Sequence, residues 1–229
     1  MPKISTEDGY LTVLNLFTAD APEKQEKLLG EMRKIVDAAT YEGWISSTVH
    51  AGVDQPGTAN FIQWRSGEDL EKRYAGEEFK HRTLPVFGEM TTSIRLLQND
   101  IVYTQRAPEL NGVTEISPDR DDYTVITVFG VEKENQDALV EALSQDHFLK
   151  VDGYRSHSVL KGRAARGLEG SFVVAYSQWA SKEAYDAFNS QPEGERSAER
   201  KEAEATVRSL ITSVDSNTYR VVHTRAAGE

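Results

Sequence analysis

The chain is 229 residues long, with 38% hydrophobic residues, a net charge of -11 and no cysteine. That length allows one large domain or two small ones, and the apolar content is enough for a packed core. The acidic balance argues against a nucleic-acid-binding surface and against docking on anionic membranes. The missing thiols exclude disulfides, thiol catalysis, Fe–S clusters and thiolate-bound zinc.

The first residues, Met1-Pro2-Lys3-Ile4-Ser5-Thr6-Glu7-Asp8, lack the apolar core of a signal peptide. No apolar run approaches the roughly 18 residues of a membrane span, so a cytoplasmic protein is expected. Leu11 to Phe17 is apolar and β-rich and predicts a strand. Asp20-Ala21-Pro22-Glu23 opens a helix with Asp20 as its cap, and Leu28, Met32, Ile35 and Ala39 follow at helical spacing. Glu42-Gly43 ends that helix. Trp44 to Ala51 predicts a second strand, Asp54-Gln55-Pro56-Gly57 a turn, and Ala59 to Arg65 a third strand. Ser66 caps the next helix, which carries Leu70 and Tyr74 on one face. A further helical stretch runs from Phe79 to Leu96, interrupted at Pro85, and Asp100 to Arg106 closes the unit as a strand.

The pattern then repeats. Thr12–Phe17 matches Thr124–Phe129, Glu42-Gly43-Trp44 matches Asp152-Gly153-Tyr154, Gln63-Trp64 matches Gln178-Trp179, and Val102–Arg106 matches Val221–Arg225, at offsets of 112, 110, 115 and 119 residues. Four matches in order, drifting only as loop insertions would make them drift, indicate a tandem duplication. Residues 9–106 and 122–226 are the two copies, and the aperiodic, Pro- and Gly-containing stretch 107–121 reads as a linker.

Each copy has the order βαββαβ, an α+β, ferredoxin-like arrangement with its second helix broken. The second copy has strands near Tyr123–Gly130, Tyr154–Leu160, Ser171–Trp179 and Tyr219–Arg225, and helices near Asn135–Lys150 and after Ser181. Helices cover only one face of such a sheet, so the other face must be buried too. Two sheets packed face to face as a barrel within one chain would bury both.

These residues are similar to those of the antibiotic biosynthesis monooxygenase family, of the dimeric α+β barrel superfamily. The features that carry the resemblance are the acidic-Gly-aromatic step after the first helix, Asn60-Phe61-Ile62-Gln63-Trp64 on the third strand, Ser66 at the next helix, and Phe79-Lys80-His81 beyond it. The resemblance implies a pocket between sheet and helices, and homodimers of single-domain members that a duplication would mimic. Family members include cofactor-free anthrone oxygenases, haem-degrading and quinol monooxygenases, and members without known activity.

Asn60 and Trp64 lie four apart on one strand and share a face, with Ile62 between them. The resemblance implies a catalytic role for this pair. An Asn amide and an indole N–H could donate to a developing phenolate or peroxide oxygen in a dry pocket. Tyr74 and His81 are the candidate proton-transfer groups. Asn15, a polar residue in an apolar strand, is a candidate pocket residue, with His50 and Ile62 beside it. In the second copy Ala175 replaces the Asn of the pair while Trp179 stays, and His157, Tyr176 and Trp179 are candidate substrate contacts there. Two readings stand: the second copy is a structural partner, or its pocket uses His157 and Tyr176 instead.

Gly162-Arg163-Ala164-Ala165-Arg166-Gly167 reads as an exposed loop, and the charge run Glu193–Glu202 as a solvated helix face. The five histidines show no metal-binding spacing, so no metal is expected. The resemblance implies the absence of a resident cofactor and, as function, oxygenation of a hydrophobic aromatic phenol, anthrone or quinol of the polyketide kind, with molecular oxygen as co-substrate. Polyketide cyclisation, oxygenation with reduced flavin, and non-catalytic binding of a hydrophobic metabolite are the alternatives. A small aromatic substrate and a homodimer of the tandem chain are the expected partners, with neither nucleic acid nor membrane.

Overall fold

The computed structural model describes residues 1–229. The elements in order are β1 (Lys3–Ile4), β2 (Leu11–Thr18), α1 (Pro22–Asp37), β3 (Trp44–Gly52), β4 (Gly57–Trp64), α2 (Gly67–Ala75), a π-helical turn (Phe79–Thr83) leading into α3 (Leu84–Met90), and β5 (Ser93–Arg106). There follow β6 (Thr114–Glu115), β7 (Tyr123–Val131), α4 (Gln136–Leu143), β8 (Tyr154–Arg166), β9 (Ser171–Trp179), α5 (Lys182–Asn189), α6 (Ala198–Leu210) and β10 (Ile211–Ala226). No helix is long and apolar enough to cross a membrane.

Eight strands close into one antiparallel barrel in the order β10-β3-β4-β2-β5-β8-β9-β7. The two ferredoxin-like sheets are therefore continuous with each other. The joints are made by the long last strand of each copy. The first part of β5 pairs with β2 and its remainder with β8, while β10 pairs first with β7 and then with β3. Each copy thus completes the other's sheet and leaves no open edge. Both strands start earlier than their sequences suggest, at Ser93 and Ile211, because the broken helix ends sooner.

Strand alternation divides the side chains into two layers. Leu14, Leu16, Ala59, Phe61, Leu97, Val174 and Tyr176 fill the barrel, whereas Val13, Phe17 and Trp64 face the helices of the first copy. These side chains pack the barrel interior, and a mostly apolar cavity lies between sheet and helices instead. Residues 107–121 are more than a linker. β6 pairs with β1, and Ile4 and Ile116, both at most 2% exposed, enter the barrel core. The repeated Gln of the Gln-Trp pair holds this ribbon. Gln63 Nε2 donates to the Lys3 carbonyl and Gln178 Nε2 to that of Glu115, while Ser46 and Ser156 hydroxyls donate to the two Gln Oε1 atoms.

Gly43 and Gly153 explain the repeated acidic-Gly-aromatic step. Both have left-handed backbones, with φ of 75° and 76°. A Cβ at Gly43 would lie 2.3 Å from Asp69, and one at Gly153 2.5 Å from Ala184, so the following helix could not approach. At α1, Pro22 takes the first turn as expected. Asp20, however, does not cap: Ala21 holds that position and Asp20 pairs with Lys24. Ser66 does cap α2, accepting from the Asp69 N–H at 3.2 Å. The stretch Gly162–Arg166 belongs to β8 rather than to a loop, and it carries Arg166 back over the first copy.

Candidate active site

Asn15 on β2 and Asn60 on β4 are register partners. Two residues further along β4 is Ile62, and two further again Trp64, so all four side chains share the helix-facing side. Leu70, Arg73 and Tyr74 from α2 stand opposite, and Phe79, Thr83, Leu84 and Phe87 from the π-turn and α3 close the top. The cavity so formed is mostly apolar. It leaves about 70 Å³ for the centres of water-sized molecules. That is well above the ~10–15 Å³ a cavity needs to hold one water, so a small molecule has room to enter.

Four polar atoms on the residues around this cavity have no partner. The amide oxygens of Asn15 and Asn60, the indole N–H of Trp64 and the hydroxyl of Tyr74 are all buried and make no hydrogen bond. Buried polar groups are normally paired, because an unmade bond costs ~1–3 kcal/mol. Four around one cavity mark a place where a ligand supplies the missing bonds.

Burial pushes the Tyr74 hydroxyl up to about 12, against the weaker opposite pull of Arg166. Tyr74 therefore stays protonated and acts as a donor. Arg166 of the second copy lies 4.5 Å from the centre of the Tyr74 ring, which in turn packs on Phe79 at 4.6 Å. Arg73 is the one charged residue in the cavity wall. Its guanidinium sits 4.1 Å from the Tyr41 ring centre and donates to Glu78 at 3.2 Å. The wall holds no carboxylate and no imidazole.

The sequence candidates are thus divided. Asn15, Asn60, Ile62, Trp64 and Tyr74 converge on the cavity. His81 does not: it sits in the π-turn between the lining residues Phe79 and Thr83, but its side chain faces solvent, is 70% exposed and pairs with Glu77 at 3.2 Å. His50 points into the barrel on the other face of the sheet. Its Nδ1 lies 3.2 Å from the Ala59 carbonyl oxygen, which fixes the proton there, so Nε2 accepts from Tyr176 at 2.8 Å. Burial holds His50 down at about 4. Tyr176 shares this interior position, while His157 faces the helices of the second copy. The two lie on opposite faces of one sheet and cannot serve one pocket. By ladder position His157 corresponds to Ser47, not to His50.

Arg73 and Phe17 are cavity residues that sequence reading passed over. Both were within reach of periodicity: Arg73 shares the i, i+3, i+4 face of Leu70 and Tyr74, and Phe17 lies two beyond Asn15.

The second copy has no such constellation. Thr127 and Ala175 are the register pair in place of Asn15 and Asn60. Trp179 Nε1 is satisfied by Ser177 at 3.0 Å. Its ring is enclosed by Phe188 at 5.1 Å, Tyr185 at 5.6 Å, Tyr154 at 5.9 Å and Phe148 at 6.4 Å. In the second copy these aromatic rings pack around the tryptophan, and its N–H is met.

Among solved structures, one titled "Crystal structure study of anthrone oxidase-like protein" is 62% identical, covers 100% of this chain and 98% of its own, and superposes with a TM-score of 0.97. The family model "Antibiotic biosynthesis monooxygenase" matches residues 122–200. The chain belongs to the antibiotic biosynthesis monooxygenase family. It is a monooxygenase of that family. The model finds its pattern in the second copy, although the cavity flanked by Asn15 and Asn60 lies in the first. A candidate monooxygenase from Lactobacillus acidophilus NCFM, 10% identical over 96% of this chain and 97% of its own, shares the fold with a TM-score of 0.59. So does a major regulator of staphylococcal pathogenesis, at 11% identity, 93% and 99% coverage and a TM-score of 0.53. The fold therefore hosts more than one kind of function. Comparison with curated protein sequences finds no match.

Proposed function

We propose that the first copy oxygenates an apolar, polycyclic phenol, anthrone or quinol, with molecular oxygen as co-substrate and no resident cofactor. The observation that carries this reading is the mostly apolar cavity whose lining residues carry four buried, unpartnered polar atoms. The 62% identical anthrone oxidase-like protein supports the substrate class.

In such a reaction the activated carbon of an anthrone-like substrate loses a proton, and the resulting enolate passes one electron to oxygen. Recombination forms a C–O bond. Loss of water from the hydroperoxide then leaves a new carbonyl, so one oxygen atom stays and the other departs with the carbon's two hydrogens. Trp64 and Tyr74 donate to the enolate oxygen or the peroxide, and the Asn15 and Asn60 amides fix the remaining oxygen functions. Ile62 packs against the rings. Arg73 places a fixed positive charge near the developing anion. The wall holds no group that titrates near neutral pH, so the proton passes to water and the pocket acts by stabilising the anion.

Oxygen consumption with an anthrone substrate tests this directly. Turnover without added flavin, strongly reduced in Asn60→Ala and Trp64→Phe, is expected. Strict dependence on reduced flavin, product formation without oxygen, or tight binding without turnover would each replace this reading with one of its alternatives.

A further inference from the structure

The second copy carries a groove that the proposed reaction does not use. It lies between α4, α6 and the sheet, with room of about 320 Å³ for the centres of water-sized molecules. Its apolar wall is built from Phe129, Leu143, Phe148, Phe188, Val207 and Ile211. Phe148 and Phe188 are 5.3 Å apart. The charge run expected to be solvated supports this wall. Arg200 is only 4% exposed, its guanidinium lies 3.8 Å from the Phe188 ring centre, and it donates to the Phe188 carbonyl at 3.0 Å.

Two imidazoles, His147 and His157, line the groove, and Nδ1 of each is buried without a hydrogen-bond partner. His157 is 4% exposed. Its Nε2 lies 2.8 Å from the Leu143 carbonyl oxygen, which can only accept, so Nε2 carries the proton. Burial holds the ring's pKa down at about 4, so near neutral pH it is uncharged. Nδ1 is then a bare lone pair in an apolar setting, which is costly to leave unmet. A ketone or carboxylate would set a second lone pair against it. Only a donor satisfies it. Glu204, at the edge of the groove, is already engaged by Arg196 and Arg200 at 2.6 and 2.7 Å.

We propose that this groove is a second ligand site, taking an aromatic small molecule whose hydroxyl donates to His157 Nδ1 while its rings pack on Phe148 and Phe188. The site stands independently of the oxygenation assigned to the first copy.

No histidine lines the first cavity, and the assigned His157 signal, from the groove itself, is the one that reports on it. The full chain, labelled with ¹⁵N in histidine, is titrated with 2-naphthol and separately with 2-methoxynaphthalene, which lacks the donor. The expected result is a saturable shift of His157 Nδ1 away from the free-acceptor position with 2-naphthol alone. The ether is expected to bind this groove about tenfold more weakly, the ratio that one hydrogen bond of ordinary strength supplies. His157→Gln assigns the resonance, or through-bond correlation in uniformly labelled protein does so if that variant does not fold. An unmoved Nδ1 resonance at high 2-naphthol, or equal affinity for the two probes in this groove, overturns the proposal.

Discussion

Asn15 and Asn60 face each other across β2 and β4 as register partners, and both amide oxygens are buried with nothing to accept from. A sheet that only needed to fold would place Val or Thr at such positions, and the second copy does place Thr127 and Ala175 there. The pair is a cost to stability that a ligand can offset. Asn60→Ala is therefore expected to leave the thermal midpoint unchanged or raised, since it deletes an unmet polar group. Its kcat should fall by about 10²–10³-fold if the amide serves the reacting oxygen. Paired thermal unfolding and oxygen-uptake measurements check both halves. An Asn60→Ala enzyme with undiminished turnover would remove the residue from the site.

The two tryptophans make a reciprocal pair of predictions. Trp179 donates to Ser177 and is packed on several sides by aromatic rings, whereas the Trp64 indole N–H is buried and unpaired. Trp179→Phe should cost about 1–3 kcal/mol of stability through the lost bond and lost volume, with little effect on the turnover of the surviving folded protein. Trp64→Phe should do the opposite, costing little stability and most of the activity. Urea unfolding and initial rates on the two variants decide it, and the same ranking on both measurements would contradict the division of labour between the copies.

The duplication, the strand and helix order and the facing of Asn60, Ile62 and Trp64 were legible, because each rests on local periodicity or on repetition within the chain. Errors arose where a side chain's face depends on the register between strands. His157 on β8 pairs with Ser177 on β9, so Tyr176, one position earlier, faces the other side of the sheet and cannot share a pocket with it. In the π-turn at Phe79–Thr83, Phe79 enters the cavity, and His81, two residues on and so on the opposite side of the turn, lies in solvent. His81→Ala should accordingly leave kcat within about twofold, as exposed substitutions away from a site do. The pairing of β1 with residues 114–115 left no trace in the sequence, since a two-residue strand has no period to read.

Tyr74 should act as a donor and never as a base. Burial raises its pKa to about 12, so it remains protonated throughout the working range. Tyr74→Phe keeps the ring packed on Phe79 and beneath Arg166. It removes only the hydroxyl. A fall of about tenfold or more in kcat/KM is expected, with the shape of the pH–rate profile between pH 6 and pH 10 the same in both enzymes. A limb of the wild-type profile in that interval that vanishes in Tyr74→Phe would show that the phenol ionises during turnover.

Two buried histidines couple folding to acid. His50 and His157 are held down at about 4 by burial, against an ordinary imidazole value of 6.5. Between those limits the unfolded chain binds protons that the folded chain refuses, so acid favours unfolding. Their contribution is intact above about pH 6.5 and is lost as pH falls toward 4. At 1.36 kcal/mol per pKa unit, each histidine can account for at most ~3 kcal/mol of that loss. Carboxylates titrate in the same region, so the histidine share is read from variants. His50→Gln can still accept from Tyr176 through its amide oxygen, and His157→Gln can still donate to the Leu143 carbonyl. Urea unfolding at pH 7.5, 6 and 5 should show each variant losing less stability on acidification than the parent, with an additive effect in the double variant because the two residues lie on opposite sides of the sheet. Parallel acid dependences in parent and variants would mean that neither imidazole stays neutral on folding.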